Sequence, residues 1–383
     1  MKLSVLIRPR DPLIFRDGKP FDAGLGAASI NWPMPSTIAG CIRTRLWGSR
    51  EFNLKAQNRL RQVTQTGPFL AVQDSKGKWE LCCPAPADAA IYGSKGAYEI
   101  VPLRPTGALH FGEGSGSDLP EGMSPLAGSR SQKADESAPS FWTLEQTMKW
   151  LEAIEGRNWF KSAEQLGYSW LPQQSRLHVQ MSDSSRNAAE GMLFRTTSLE
   201  FEFASDFRRK ERRAMMRPTA AMGIYSQVHA EDGDWSNTDG VGPMGAEQRV
   251  SVWTQGEELL PLMPESWNLL NLIRLQLVTP GVFGDGWKPA WADSGEPPGC
   301  PGLRLRLVSA AVRRAIAVSG FDMAKSGEDR LRPTRMLAPA GSVYFFAVEQ
   351  GDPRSLWMRS ISDEAQDRRD GFGIVLIGGW KWR

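Results

Sequence analysis

At residues 302–312 the chain reads "GLRLRLVSAAV", with Leu303, Leu305 and Leu307 at every second position and Arg304 and Arg306 between them. A side-chain period of two belongs to a strand, and such a strand needs a sheet with a buried face. Strand-like runs recur along the chain: "KLSVLIR" (2–8), "GPFLAVQ" (67–73), "KWELCCPAPA" (78–87), "GSVYFFAV" (341–348) and the glycine-bracketed "GFGIVLIGGW" (371–380). "LLNLIRLQLVTP" (269–280) alternates at Ile273, Leu275 and Leu277 and reads as a strand, although a helix also fits. "RLHVQMS" (176–182) and "MLFRTTSLEFEFA" (192–204) flank a polar "DSSRNAAEG", which predicts a long hairpin with a projecting loop.

Helices are fewer and well punctuated. In "WPMPSTIAGCIRTRLWG", Pro33 and Pro35 block extension upstream and Ser36 can act as N-cap. Ile38, Ile42 and Leu46 form one apolar stripe, and Gly48 stops the helix. Gly40 inside it implies a close approach by another backbone. A second helix starts at Thr143, whose spacing to Gln146 fits a capping box, and runs to Gly156. Several strands and one or two helices in each half predict an α+β fold of two tandem units with long loop insertions. The boundary is expected in the Gly/Asp-rich stretch ending near Gly242, giving units 1–242 and 243–383. No fixed-period repeat joins the halves.

A length of 383 residues favours two cores over one. Hydrophobic content of 41% and charge of 23% are those of an ordinary globular chain, and no apolar stretch reaches membrane-spanning length. With no secretory leader legible at the start, the expectation is a cytoplasmic protein with no membrane partner. Cys41, Cys82, Cys83 and Cys300 show neither a disulfide framework nor zinc spacing.

Charge is segregated. "RRKERRAMMRP" (208–218) carries six cations against Glu211, which suits either a solvated helix face or contact with a polyanion. Fifteen tryptophans are unusually many; most must be core, but base-stacking or interface surfaces could use several.

Catalytic motifs are missing. His110, His178 and His229 lie in separate segments, no HExxH, GxSxG or Walker motif appears, and Asp11, Asp17 and Asp22 read as turn residues. No catalytic residue, metal or cofactor is therefore expected. Anion-binding elements fare better. The helix beginning near Ser36 and Thr37 offers N–H groups to a phosphate, with Arg16, Lys19, Arg43 and Arg45 near in sequence to surround it. Gly18 and Gly24 would allow close approach in the loop "RPRDPLIFRDGKPFDAG", anchored by Leu13 and Ile14. Gly371, Gly373, Gly378 and Gly379 either let main-chain N–H groups cradle an anionic backbone or form a tight turn before an edge strand.

The blocks "RDPLIFRDGKPFDAG", "WPMPSTIAGCIRTRLW", "HVQMSDSSRNAAEGMLFRTTSLEF", "LVTPGVFGDGWKP", "RMLAPAGSVYFF" and "GFGIVLIGGW", in this order, resemble the RAMP superfamily. They are most similar to the family of the third subunit of the Cmr complex, the type III-B CRISPR effector. The type III-A sister family shares much of the pattern, but "RDPLIFRDG" and "PAGSVYFF" favour the Cmr form. The resemblance implies two ferredoxin-like (RRM-like) domains and a thumb-like β-hairpin at 182–191. It implies a non-catalytic role: gripping the 5′ tag of the CRISPR RNA and bridging the large polymerase-like subunit to the first backbone subunit, with target RNA met only indirectly. Arg186, Met192, Phe194 and Arg195 would then face the RNA, Met192 and Phe194 acting as the wedge or as core anchors. Two other readings stay open: a RAMP endoribonuclease that trims precursor CRISPR RNA with His178 or His229 as acid-base group, and a protein scaffold whose tryptophans make interfaces.

Overall fold

A computed structural model describes the chain except residues 16–28, 75, 95–96, 108–113, 115, 117, 131, 136–137, 183, 203–220, 268, 270 and 322–330. The basic run at 208–217 and His110 lie outside the described residues.

The chain starts with β1 (Lys2–Pro9), α1 (Pro35–Trp47), α2 (Leu54–Gln62), β2 (Thr64–Gln73) and β3 (Trp79–Pro84). An excursion follows: the hairpin β4 (Ala89–Ser94) and β5 (Ala97–Pro102), the short β6 (Phe141–Thr143) and α3 (Leu144–Glu152). Then comes a long hairpin of β7 (Gln173–Met181) and β8 (Ala188–Leu199). The chain returns through β9 (Met222–His229), β10 (Gly240–Met244) and β11 (Arg249–Gln255). These strands build an antiparallel sheet in the order Gly167–Tyr168, β6, β3, β2, β9, β1, β11, β10, while β7 and β8 form a separate two-stranded ribbon.

A second sheet follows from β12 (Leu272–Leu277), β13 (Arg304–Ala311), the hairpin β14 (Ile316–Phe321) and β15 (Leu331–Ala338), β16 (Val343–Gln350), the five-residue α4 (Ala365–Arg369) and β17 (Val375–Gly379). Its order is β13-β16-β12-β17, all antiparallel. The segment around Ile273 is thus a strand. The four central strands of the first sheet, β2-β9-β1-β11, have the same order when each set is counted along the chain: second, third, first, fourth. In both sets a long hairpin lies between the second and third strands. Residue 242 falls inside β10, and both β10 and β11 belong to the first sheet; the change of sheet comes between Gln255 and Leu272.

Alternation explains the packing. On β1, Val5 and Ile7 join Ile38, Ile42 and Leu46 of α1 in one core, while Leu6 turns to the opposite face. There Leu6 meets Phe69, Ala71, Leu151 of α3 and, from the second unit, Val278, Ile374 and Leu376. The first sheet is therefore buried on both faces, between α1 on one side and α3 with the second unit on the other. The second sheet closes over its own core of Ile273, Leu275, Leu305, Phe346 and Ile377.

The reverse face of β12 holds charge. Arg274, fully buried, donates through Nη1 to Asp88 Oδ2 and through Nη2 to the Trp150 carbonyl. Arg104 Nη1 donates to the same Asp88 oxygen at 3.0 Å, and the Trp150 indole donates to Asp88 Oδ1 at 2.8 Å. Burial, then the charge of Arg274, pushes Arg104 down to about 9. One carboxylate thus ties the excursion, α3 and the second sheet together.

The helix expectations need three corrections. Met34, not Ser36, is the N-cap of α1, because Pro35 takes the first helical position and moves Ser36 inward. The second helix ends at Glu152 rather than Gly156; Thr143 accepts from the Gln146 N–H, but the Gln146 side-chain oxygen has no partner among the described residues. Gly40 is exposed, and among the described residues no atom lies within 4 Å of where a Cβ would sit beyond its own helix, so none of the described backbone outside α1 approaches it. Gly48 does close the helix, at φ +69°.

Candidate nucleic-acid interface

The start of α1 carries no side-chain cap, so the positive end of a 13-residue helix is left to whatever lies before it. What lies there is a cleft of about 550 Å³, whose walls include Phe15, Ser36, Thr37, Gly40 and Arg43. Ser36, Thr37 and Gly40, placed together from sequence, do share one concave surface.

A second cleft of about 480 Å³ adjoins it, sharing Ile30 and Met34. Its walls include Trp32, Phe141, Trp170, Arg313 and Arg314. Phe141 is buried and meets both indoles edge to face, with ring centres 5.5 Å from Trp32 and 5.0 Å from Trp170, so it sets their tilt. Trp170 is 46% exposed. Arg313 and Arg314 are exposed and have no hydrogen-bond or ion-pair partner among the described residues. Aromatic faces beside unpaired guanidinium groups and a helix N-terminus match the needs of a single-stranded nucleic acid: bases to stack, phosphates to neutralise.

Sequence reasoning missed these five residues. The tryptophan count hinted at them, but Trp32 follows the first loop, Trp170 precedes the hairpin and the arginines belong to the second unit. Only the fold brings them together.

Arg43 and Arg45 are engaged inside the protein. Arg43 pairs with Asp370 at 2.6 Å and donates to the Val63 carbonyl at 2.7 Å, pinning α1 to the turn before β17. Arg45 donates to the carbonyls of Thr238 and Asp239 and lies over the Trp253 ring at 5.2 Å; burial lowers its pKa. Arg10 pairs with Glu202 at 3.1 Å. Arg16, Lys19 and Gly24 lie outside the described residues. The described ends of their loop are fixed: Leu13 and Leu199 exchange backbone hydrogen bonds at 2.9 and 2.7 Å, and the Ser29 N–H donates to Thr197 Oγ1 at 2.7 Å. Both ends are thereby tied to the base of the β7–β8 hairpin, and Leu13, Ile14 and Phe15 are buried as anchors.

On that hairpin, Phe194 stacks on His178 with centroids 5.2 Å apart and belongs to none of the buried clusters; the core anchors are Leu199 and Phe201. The Met192 side chain lies outside what is described. Arg186 sits in the hairpin turn at φ +55°, and Arg195 is exposed opposite Leu177. Leu177, Val179, Met181 and Leu193 are all about half exposed or more.

The C-terminal glycines face inward. A Cβ at Gly371 would collide with the Gly67 carbonyl oxygen, one at Gly373 with Ser362, and one at Gly378 with the backbone of Leu151. All three are buried, so the close approach they permit is between parts of this chain. The turn-before-an-edge-strand reading accounts for Gly371 and Gly373, while Gly378 lies within β17, the edge of its sheet.

His178 Nε2 lies 2.9 Å from Thr196 Oγ1, and partial burial together with Lys2 lowers His229. Among the described residues no group of His, Cys, Asp and Glu could hold a metal ion, and no helix is long and apolar enough to cross a membrane.

No curated protein matches the chain. Solved structures similar to it include two cryo-EM structures of a type III-B Cmr-β complex bound to cognate target RNA, one of them also with AMPPnP. Each is 15% identical over 89% of this chain and 86% of the other, with TM-scores of 0.45 and 0.44. The sequence profile described as CRISPR-associated protein (Cas_Cmr3) matches residues 5–380, nearly the whole length, and the chain belongs to that family.

Proposed function

We propose that this chain is a non-catalytic RNA-gripping subunit of a type III-B CRISPR effector, which caps the 5′ tag of the CRISPR RNA and bridges the large polymerase-like subunit to the backbone subunits. The observation that carries the reading is the paired cleft around the start of α1. The helix end, Ser36, Thr37 and the open Gly40 suit phosphates, while Trp32, Trp170, Arg313 and Arg314 suit unstacked bases and their backbone. Exposed Gly40 gives a ligand backbone a close approach that no atom of the described residues outside α1 uses. The common strand order of the two sheets supports reading each as a ferredoxin-like unit, with the β7–β8 hairpin as the thumb.

The non-catalytic reading draws on His178, which is held by Thr196 and Phe194 rather than presented to a scissile phosphate. The test is binding of labelled tag RNA to the assembled complex. Replacing Trp32 and Trp170 by Ala should cost about 1–3 kcal/mol per base that loses its platform. Arg313→Ala with Arg314→Ala should lower the log-log salt slope by about 0.7 for each phosphate left without its cation. Unchanged binding in both variants would move the tag site elsewhere. Specific cleavage of labelled precursor RNA, abolished in His178→Ala or His229→Ala, would make the chain an endoribonuclease instead.

A further inference from the structure

Where α4 meets the start of β2 there is a third concavity, of about 710 Å³, which the tag-binding reading does not use. Its walls include Arg359, Arg368, Arg369, Thr64, Gln65 and His229, and no acidic side chain is among the residues lining it.

Its polar groups are unevenly satisfied. Arg368 is fixed by donating to the carbonyls of Ser362 and Asp363. Exposed Arg359 spends one bond, at 3.2 Å, on the Gly299 carbonyl. Arg369, half-buried, has no hydrogen-bond or ion-pair partner among the described residues. Gln65 is only 4% exposed; its Nε2 donates to Gly67 O at 3.1 Å, with longer contacts to Pro35 O and Asp370 O, while its Oε1 has no partner among the described residues. A buried acceptor without a donor is costly unless something fills it, and the two guanidinium groups beside it still have donors to offer.

We propose that this cleft is a second RNA-contacting site, taking the phosphodiester backbone of a single strand through Arg359 and Arg369 and a ribose 2′-hydroxyl at Gln65 Oε1. A ribonucleotide supplies both missing partners side by side, an anion and a hydroxyl donor, and repeats them along the chain. Guanidinium groups bind phosphate in two-pronged fashion, and the 2′-hydroxyl is the group by which a site distinguishes RNA from DNA. A carboxylate side chain would satisfy the arginines but brings no donor for Gln65 Oε1. Asp370 lines the cleft at α1 and its neighbour Arg369 lines this one, so the two sites are separated by the wall that the Arg43–Asp370 pair builds.

The test uses the full chain, a fluorescent octauridylate and its 2′-deoxy counterpart, with binding followed by anisotropy over a salt series. Arg359→Ala with Arg369→Ala should weaken RNA binding about tenfold, flatten the log-log salt slope by about 1.4, and leave the melting temperature unchanged. The single Arg369→Gln variant, which removes the charge but keeps a polar side chain with N–H donors, should give about half the slope change. The unaltered chain should bind the ribo-oligomer more tightly than the deoxy one, and the double variant should narrow that ratio. Unchanged affinity and slope, or a polyglutamate peptide competing as well as the RNA, would overturn the proposal. A Trp32→Ala, Trp170→Ala variant that loses RNA binding while the arginine variants keep it would discard this cleft and leave the tag-binding reading standing.

Discussion

The two units share a strand order but not a covering. After its first strand the first unit builds α1, thirteen residues with a full apolar stripe. At the corresponding place the second has only a three-residue turn at Ala290–Ala292 within a glycine- and proline-rich segment. After its third strand it has a four-residue 3-10 turn at Pro353–Leu356 and the five-residue α4. Both sheets are nonetheless covered: the first by helix, the second by Trp287, Trp291 and Leu356 from loops. Topology is set by how strands pair, whereas the cover can be any apolar surface of the right shape. A true helix leaves an uncapped positive end, and the paired cleft is built at that end; the second unit adds walls to it, among them Thr279, Arg313, Arg314 and Asp370.

The largest expected effect breaks the joint between the units. Asp88→Ala removes the one carboxylate between Arg104 and Arg274 and leaves two cations buried without compensation. The cost should be about 3–5 kcal/mol in denaturant unfolding. A change below about 1 kcal/mol would mean the units are held by the apolar packing of Leu6, Phe69 and Leu376 alone.

A matched pair of glycines sharpens the contrast next. Gly378→Ala drives a methyl group into the backbone of Leu151 and should destabilise by about 1–3 kcal/mol. Gly40→Ala meets no atom of the described residues outside α1 and should stabilise that helix by up to about 1 kcal/mol while weakening RNA binding. If both changes moved stability in the same direction, the assignment of one glycine to packing and the other to the ligand would fail.

The smallest effect concerns His229, which lies at the end of β9 beside Lys2, Glu258 and the N-terminus. It is lowered chiefly by burial and then by Lys2. A base whose folded pKa lies below its unfolded value of about 6.5 binds fewer protons when folded. Its contribution is therefore complete above that pH and fades as the pH falls below it. Melting temperatures between about pH 7.5 and about pH 5 should drop less steeply in His229→Gln than in the unaltered chain.

Much of the secondary structure was legible. The stripe of Ile38, Ile42 and Leu46 and the alternation of Ile273, Leu275 and Leu277 report burial directly, because local spacing decides which side chains share a face. α2 escaped notice because "LKAQNRLRQ" is polar nearly all round and buries only Ala56 and Leu60. β9 escaped because "MGIYSQVH" mixes polar with apolar residues; Ser226 and Gln227 are buried only because β1 and β2 flank the strand on both sides. The unit boundary was placed early for the same reason, since the pairing that claims β11 for the first sheet is made with β1, at the other end of the unit. Of the candidate site, the α1 end, Ser36, Thr37 and Gly40 came from sequence. Arg43 and Arg45 look alike in sequence as free cations, yet Asp370 and the carbonyl groups of Thr238 and Asp239 claim them in the fold.

Side-chain period and Pro/Gly punctuation act over a few residues, and they were enough to dictate two strand-rich units with one strong helix early on. The order of the blocks along the chain was likewise enough to mark the family. It took the folded chain to make the two sheets repeat one strand order, to turn the C-terminal glycines inward, and to bring Trp32, Trp170, Arg313 and Arg314 to one cleft. Strand partners and cleft walls join residues far apart along the chain, and no local pattern encodes which distant segment will arrive.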